Sequence, residues 1–151
     1  MRSYSVFFAN YTIGEDAYVQ VPQVCLPFGT KIFLIGGRKG MDAAGGLLEE
    51  VLKGTDLVVL ESVEFGADCT YKDIDRWADR AKELGADMIF GMGGGKALDT
   101  AKGAAERAGL PVFTFPTIAA TCAATTALSV VYREDGNFDS LYFYDKPARH
   151  C

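Results

Sequence analysis

The sequence predicts an α/β fold, a Rossmann-like parallel sheet flanked by helices and ending in a β-hairpin. Three observations predict it. Short apolar runs alternate with amphipathic segments, the pattern of βαβ units. A cluster of glycines (Gly91, Gly93, Gly94, Gly95) joins one apolar run to one helical segment. The composition is globular, 49% hydrophobic and 23% charged over 151 residues, against about 150 residues for an ordinary domain. Residues 1–151 therefore read as a single domain.

Four apolar runs, at 31–35, 57–60, 88–92 and 112–115, have the length and composition of buried parallel strands. Helical periodicity fills the gaps. Leu47, Leu48, Val51 and Leu52 mark one helix, closed by Gly54. Thr70 and Asp73 have the spacing of a capping box, and Ile74, Trp77, Ala78, Ala81 and Leu84 then share one face up to a stop at Gly85. A third helix runs over 97–108, with Gly109 and Pro111 as its stop. Residues 129–132 and 141–144 flank an Asp-Gly turn and predict the hairpin. The amino-terminal stretch breaks this alternation. Residues 5–8 and 11–13 have the pattern of a small antiparallel pair, and Pro22 and Pro27 limit any helix between. After residue 144 no closing element is expected.

Charge narrows the class of partner. A formal net charge of −5 argues against nucleic acid or an anionic membrane surface. No apolar run approaches the ~20 residues of a membrane span, so a soluble, cytoplasmic protein is expected. The four cysteines show no CxxC spacing and are expected to be reduced. The only histidine, His150, is penultimate, where a chain end usually frays.

The sharpest feature is GMGGGKALDTAK at 91–102. Glycines between a strand and a helix let backbone N–H groups approach a phosphate, and the helix N-terminus adds positive charge there. Gly93, Gly94 and Gly95 would form that turn, with Lys96 as a cation beside it. Gly94 is the position where a side chain would block the approach and where a positive φ is expected. A G-x-G-x-x-G fingerprint would need glycine at 96, and a Walker A loop would need glycine at 90 and Ser or Thr at 97; neither is present. Asp99 also reads simply as an acid favouring the first turn of its helix. A second segment, 116–132, is crowded with Thr and Ala, and Thr117 would sit with the glycine turn beyond the carboxyl ends of the strands. Local turn formation by those threonines is the plain alternative.

GMGGGKALDTAK, together with PTIAATCAATTALSVVYREDGNFDS at 116–140, resembles the metal-dependent polyol dehydrogenases of the iron-containing alcohol dehydrogenase superfamily, glycerol dehydrogenases most of all. FGADC at 65–69 with DIDR at 73–76 is similar to a further stretch of that family. The resemblance implies the nucleotide-binding half of a longer enzyme, whose helical half holds a catalytic zinc or iron through Asp and His. That helical half is expected to be absent from this chain, leaving no metal site and no catalytic residue here. The resemblance also implies an NAD site. Gly93, Gly94, Gly95, Lys96 and Asp99 would face the pyrophosphate or its adjoining helix; Thr117, Thr121, Thr126, Leu128 and Tyr132 would line the pyrophosphate and nicotinamide side.

Two departures from the family pattern bear on specificity. Cys122 stands where the family places a substrate-binding Asp, and Ala124 replaces the Pro that follows it. Gly37 stands where an acid binds the adenine ribose, with Arg38 and Lys39 next, which makes NADP admissible. Two readings follow: the nucleotide-binding half of an alcohol or polyol oxidoreductase, or a stand-alone nucleotide-binding or assembly module. In either, an uncovered 119–128 loop and an open edge at 141–144 predict a homo-oligomer, a dimer by preference.

Overall fold

The computed structural model of the chain describes residues 10–151. Strands β1 (Lys31–Gly36), β2 (Val58–Glu64), β3 (Met88–Gly93) and β4 (Val112–Pro116) form a parallel sheet in the order β2-β1-β3-β4. Helices α2 (Arg38–Leu52), α3 (Tyr71–Glu83) and α4 (Gly95–Ala108) make the crossovers, and a short α1 (Val21–Cys25) precedes them. Strands β5 (Leu128–Tyr132) and β6 (Phe138–Phe143) pair as the antiparallel hairpin. The α/β class, the sheet and the hairpin all match the sequence expectation.

Burial follows strand alternation. Ile32, Leu34, Met88, Phe90 and Met92 meet Ala44, Leu48 and Leu52 of α2 on one face. Phe33, Ile35 and Ile89 meet Trp77, Ala78, Ala81, Ala101, Ala104 and Ala105 of α3 and α4 on the other. With both faces covered, β3 is buried at all six positions, so an uninterrupted apolar run rather than an alternating one encodes it. Each fully buried side chain of this size is worth about 1.5–3 kcal/mol. Leu47 departs from expectation: it is 57% exposed, because the stripe facing the sheet runs through Ala44, Leu48 and Leu52.

At the start of α3, Thr70 Oγ1 accepts from the Asp73 N–H and also donates to the Asp73 carboxylate. Gly109 closes α4 in the left-handed region, at φ 69°. The amino-terminal segment holds only a short helix, as its prolines require, and corrects the expectation of a strand. Pro22 lies in the first turn of α1, where its missing N–H costs nothing, and Pro27 lies in a 3₁₀ turn over Leu26–Phe28. Residues 11–13 form no strand, and 5–8 lie outside the described residues.

The carboxyl end also differs. The Thr114 N–H donates to the His150 carbonyl, the Cys151 N–H to the Asn10 carbonyl, and the Thr12 N–H to the Cys151 carbonyl. Residues 149–151 therefore lie along the outer edge of β4, and His150 Nε2 sits 2.8 Å from Thr12 Oγ1. Burial on the sheet edge, rather than fraying, decides the conformation of the last residues.

All four cysteines are free. Cys25 and Cys69 are buried, and desolvation pushes each thiol up to about 12. Cys122 is exposed. Native-state alkylation at mildly alkaline pH is expected to modify Cys122 well before Cys25 or Cys69, read by peptide mass spectrometry. Labelling of Cys69 at the rate of Cys122 would contradict this burial.

Candidate functional site

The connection β1–α2–β2 leaves β1 on one side, and the next crossover returns past β1 to place β3 on the other. The direction of winding thus reverses between β1 and β3, the place where open α/β sheets bind ligands. Two glycine turns meet there. Gly37 caps α2 beyond β1, with its N–H on the Met92 carbonyl at 3.0 Å. Gly93 ends β3, Gly94 caps α4 without any side-chain bond, and Gly95 is the first helical residue.

The turns are locked together by missing side chains. A Cβ on Gly40 would lie 2.7 Å from the Gly93 Cα, and one on Gly93 would lie 3.3 Å from the Gly37 nitrogen. The positive φ of the turn, 138°, belongs to Gly93, whereas Gly94 has an ordinary φ of −88°; the expectation for Gly94 is corrected. The loop after β4 closes over the same place. The Thr117 N–H donates to the Gly93 carbonyl at 3.1 Å. A Cβ on Gly94 would meet Ile118 Cδ1 at 3.1 Å, and one on Gly95 would meet Thr121 Oγ1 at 3.5 Å. Gly37, Gly93, Gly94, Gly95, Thr117 and Thr121 are thus brought together.

Lys96 leaves this turn sideways. Its ammonium donates to Asp68 Oδ1 and lies 5.1 Å over the ring of Tyr132, and the Asp68 bond raises its pKa. Tyr132 therefore joins the site through Lys96. Asp68 was not singled out as a site residue, although it lies within the FGADC stretch.

Asp99, Thr126 and Leu128 turn their polar atoms inward. Lys102, only 2% exposed, places Nζ 3.0 Å from Asp99 Oδ1 and donates to the Thr126 hydroxyl and to the Thr126 and Leu128 carbonyls. Asp99 Oδ2 accepts from the Val130 N–H at 3.1 Å. The Asp99 carbonyl accepts from Ser129 Oγ, which also bonds the Tyr144 hydroxyl. Asp99 does not serve the first turn of α4, which contains no acid; it lies one turn further on, buried. Desolvation raises the Asp99 pKa and lowers that of Lys102, while their mutual attraction opposes both shifts. This network pins the β5 end of the hairpin to α4. Sequence reasoning missed Lys102, yet there was a signal: it falls four residues after Leu98, on the apolar face. Gly40 was missed too, although a glycine inside a helix usually marks a close approach.

Residues 118–122 of the post-β4 loop are exposed, whereas Ala123 and Ala124 pack on Leu98. The Cys122 carbonyl accepts from the Thr125 and Thr126 N–H groups, so part of the threonine content does serve a turn. An apolar cavity of about 470 Å³ lies elsewhere, between the β4 edge, residues 11–25 and His150. Among the described residues no three His, Cys, Asp or Glu side chains converge on a point that would hold a metal. Those described residues do not fit a catalytic zinc or iron.

The family model for iron-containing alcohol dehydrogenases matches residues 9–148. This chain belongs to that family. Glycerol dehydrogenase of Escherichia coli O6:H1 is 37% identical over 130 residues, covering 86% of this chain and 35% of its own. A glycolaldehyde reductase of Halobacterium salinarum is 44% identical over 138 residues, 91% of this chain and 38% of its own. Among solved family structures, glycerol dehydrogenase from Schizosaccharomyces pombe superposes with a TM-score of 0.82 at 26% identity, over 98% of this chain and 38% of its own. An iron-containing alcohol dehydrogenase from Thermotoga maritima gives 0.84 at 19% identity, over 98% of this chain and 47% of its own, a likeness of fold. The chain thus spans little more than a third of the length of these curated relatives.

Proposed function

We propose that this chain is the nucleotide-binding part of an NAD-dependent alcohol or polyol oxidoreductase of glycerol dehydrogenase type. The observation that carries the reading is the pair of interlocked glycine turns at the point where the sheet reverses. Gly94 and Gly95 present backbone there without side chains, at an α4 N-terminus that no side chain caps. The pyrophosphate of the dinucleotide would sit over Gly93–Gly95, with Thr117 and Thr121 donating hydroxyls. Lys96, now held by Asp68, would be the cation beside that pyrophosphate. Tyr132 and Leu128 would border the nicotinamide, and Gly37 the adenine ribose.

NAD supplies hydride transfer when bound; the residues of this chain bind and orient it. Among the described residues no three candidate ligands converge, and the chain alone is expected to bind cofactor without oxidising glycerol. Cys122 takes the substrate-side position, where a thiol is a poor partner for hydroxyls. Exposed Ile118, Phe138, Leu141 and Phe143 favour association with a second copy or a further domain.

Calorimetric titration with NADH tests the reading. The Gly94→Val variant is expected to keep its fold, because its side chain meets the movable Ile118, yet to weaken NADH binding at least about tenfold, some 1.4 kcal/mol. Equal binding by variant and wild type would reduce the turn to a structural one.

A further inference from the structure

We infer that Glu64 selects NAD(H) over NADP(H), by occupying Arg38 and by offering its carboxylate to the adenine ribose; the inference rests on the cofactor reading above. Gly36 at the end of β1 pairs in register with Glu64 at the end of β2, so Glu64 stands next to the Gly37 turn. The Phe65 N–H donates to the Gly36 carbonyl at 3.0 Å and fixes that neighbour relation. Gly37 brings no carboxylate, and a Cβ there would touch the Phe65 ring at 3.6 Å. In dinucleotide folds an acid at this corner accepts from the ribose hydroxyl, whereas an arginine accommodates the 2′-phosphate. Both residue types are present, and they hold each other: Arg38 Nε donates to Glu64 Oε1 at 2.9 Å.

Charge decides which cofactor benefits. Arg38 and Lys39 add two positive charges, Glu64 and Asp42 two negative ones, and the corner is neutral. A phosphate monoester carries about −1.5 to −2 charges near neutral pH. It would meet a guanidinium already bonded and a carboxylate that repels it. A ribose hydroxyl meets an acceptor with a second oxygen to spare. Removing the carboxylate charge frees the planar fork of Arg38 for the phosphate, which it fits bidentately.

NADH and NADPH titrations of the wild type, Glu64→Gln and Glu64→Gln/Arg38→Ala test the selector. Side chains 76% and 52% exposed contribute little to stability, so all three are expected to fold alike, as circular dichroism would verify. The wild type should bind NADH at least about tenfold more tightly than NADPH. Glu64→Gln should move that ratio at least about tenfold toward NADPH, and the second substitution should cancel the gain. A wild type indifferent to the 2′-phosphate, or a Glu64→Gln ratio that does not move, overturns the selector and leaves the binding site standing. Failure of the wild type to bind either cofactor overturns the site itself, and the selector with it.

Discussion

Replacing Lys102 with methionine is expected to lower folding stability by about 3–5 kcal/mol, measured by urea denaturation at neutral pH. Methionine matches the length and helix propensity of lysine, so the loss is electrostatic. Asp99 would stay buried with Oδ1 facing no cation, and the Thr126 and Leu128 carbonyls would lose their donor. Converting the acid as well, in Asp99→Asn/Lys102→Met, should recover part of the loss, because no uncompensated charge then remains inside. The pH dependence has a definite sign. Burial already raises the Asp99 pKa, and loss of the ammonium raises it further. An acid whose folded pKa exceeds its unfolded value favours folding more as pH falls between the two. The deficit of Lys102→Met should therefore shrink on acidification. A loss below about 1 kcal/mol, the size of an exposed pair, would show that the network carries little.

Gly40→Ala is expected to destabilise the chain by about 1–3 kcal/mol and to abolish cofactor binding. Helix propensity alone argues the other way, favouring alanine by about 1 kcal/mol. Position decides the sign. At Gly40 the new methyl would stand 2.7 Å from the Gly93 Cα, a backbone atom that cannot rotate away. It would wedge α2 from the end of β3 and part the two turns proposed to cradle the phosphate. Gly45, in the same helix, has nothing within 4 Å of its Cβ position. Gly45→Ala should accordingly stabilise by about 0.5–1 kcal/mol with binding unchanged. Denaturation curves and NADH titrations on the two variants separate propensity from packing; equal effects would refute the close approach of the turns.

What was legible in the sequence had a local cause. Strand periodicity placed β3 and β4 to within a residue, the Thr70–Asp73 spacing placed the start of α3, and Gly109 marked the end of α4. The glycine run was recognisable as consecutive residues without side chains between a strand and a helix, and the threonine-rich segment by its likeness to the family pattern. Prolines bounded α1, Pro22 in its first turn and Pro27 just beyond its end.

By itself, then, the sequence determined the α/β alternation, the hairpin, the glycine turn after β3 and the family. The first three rest on φ/ψ preferences and on hydrophobic spacing within a few residues, the family on its likeness to known motifs. Only the tertiary structure decided that Gly40 is a contact point, that Asp99 answers to Lys102, that His150 joins the sheet edge and that Arg38 is held by Glu64. Arg38 and Glu64 lie 26 residues apart, and Thr12 and His150 lie 138 apart. A lysine reads as a surface residue until the far segment that supplies its acceptors is known, because burial of a charge is tolerable only where distant groups converge to satisfy it.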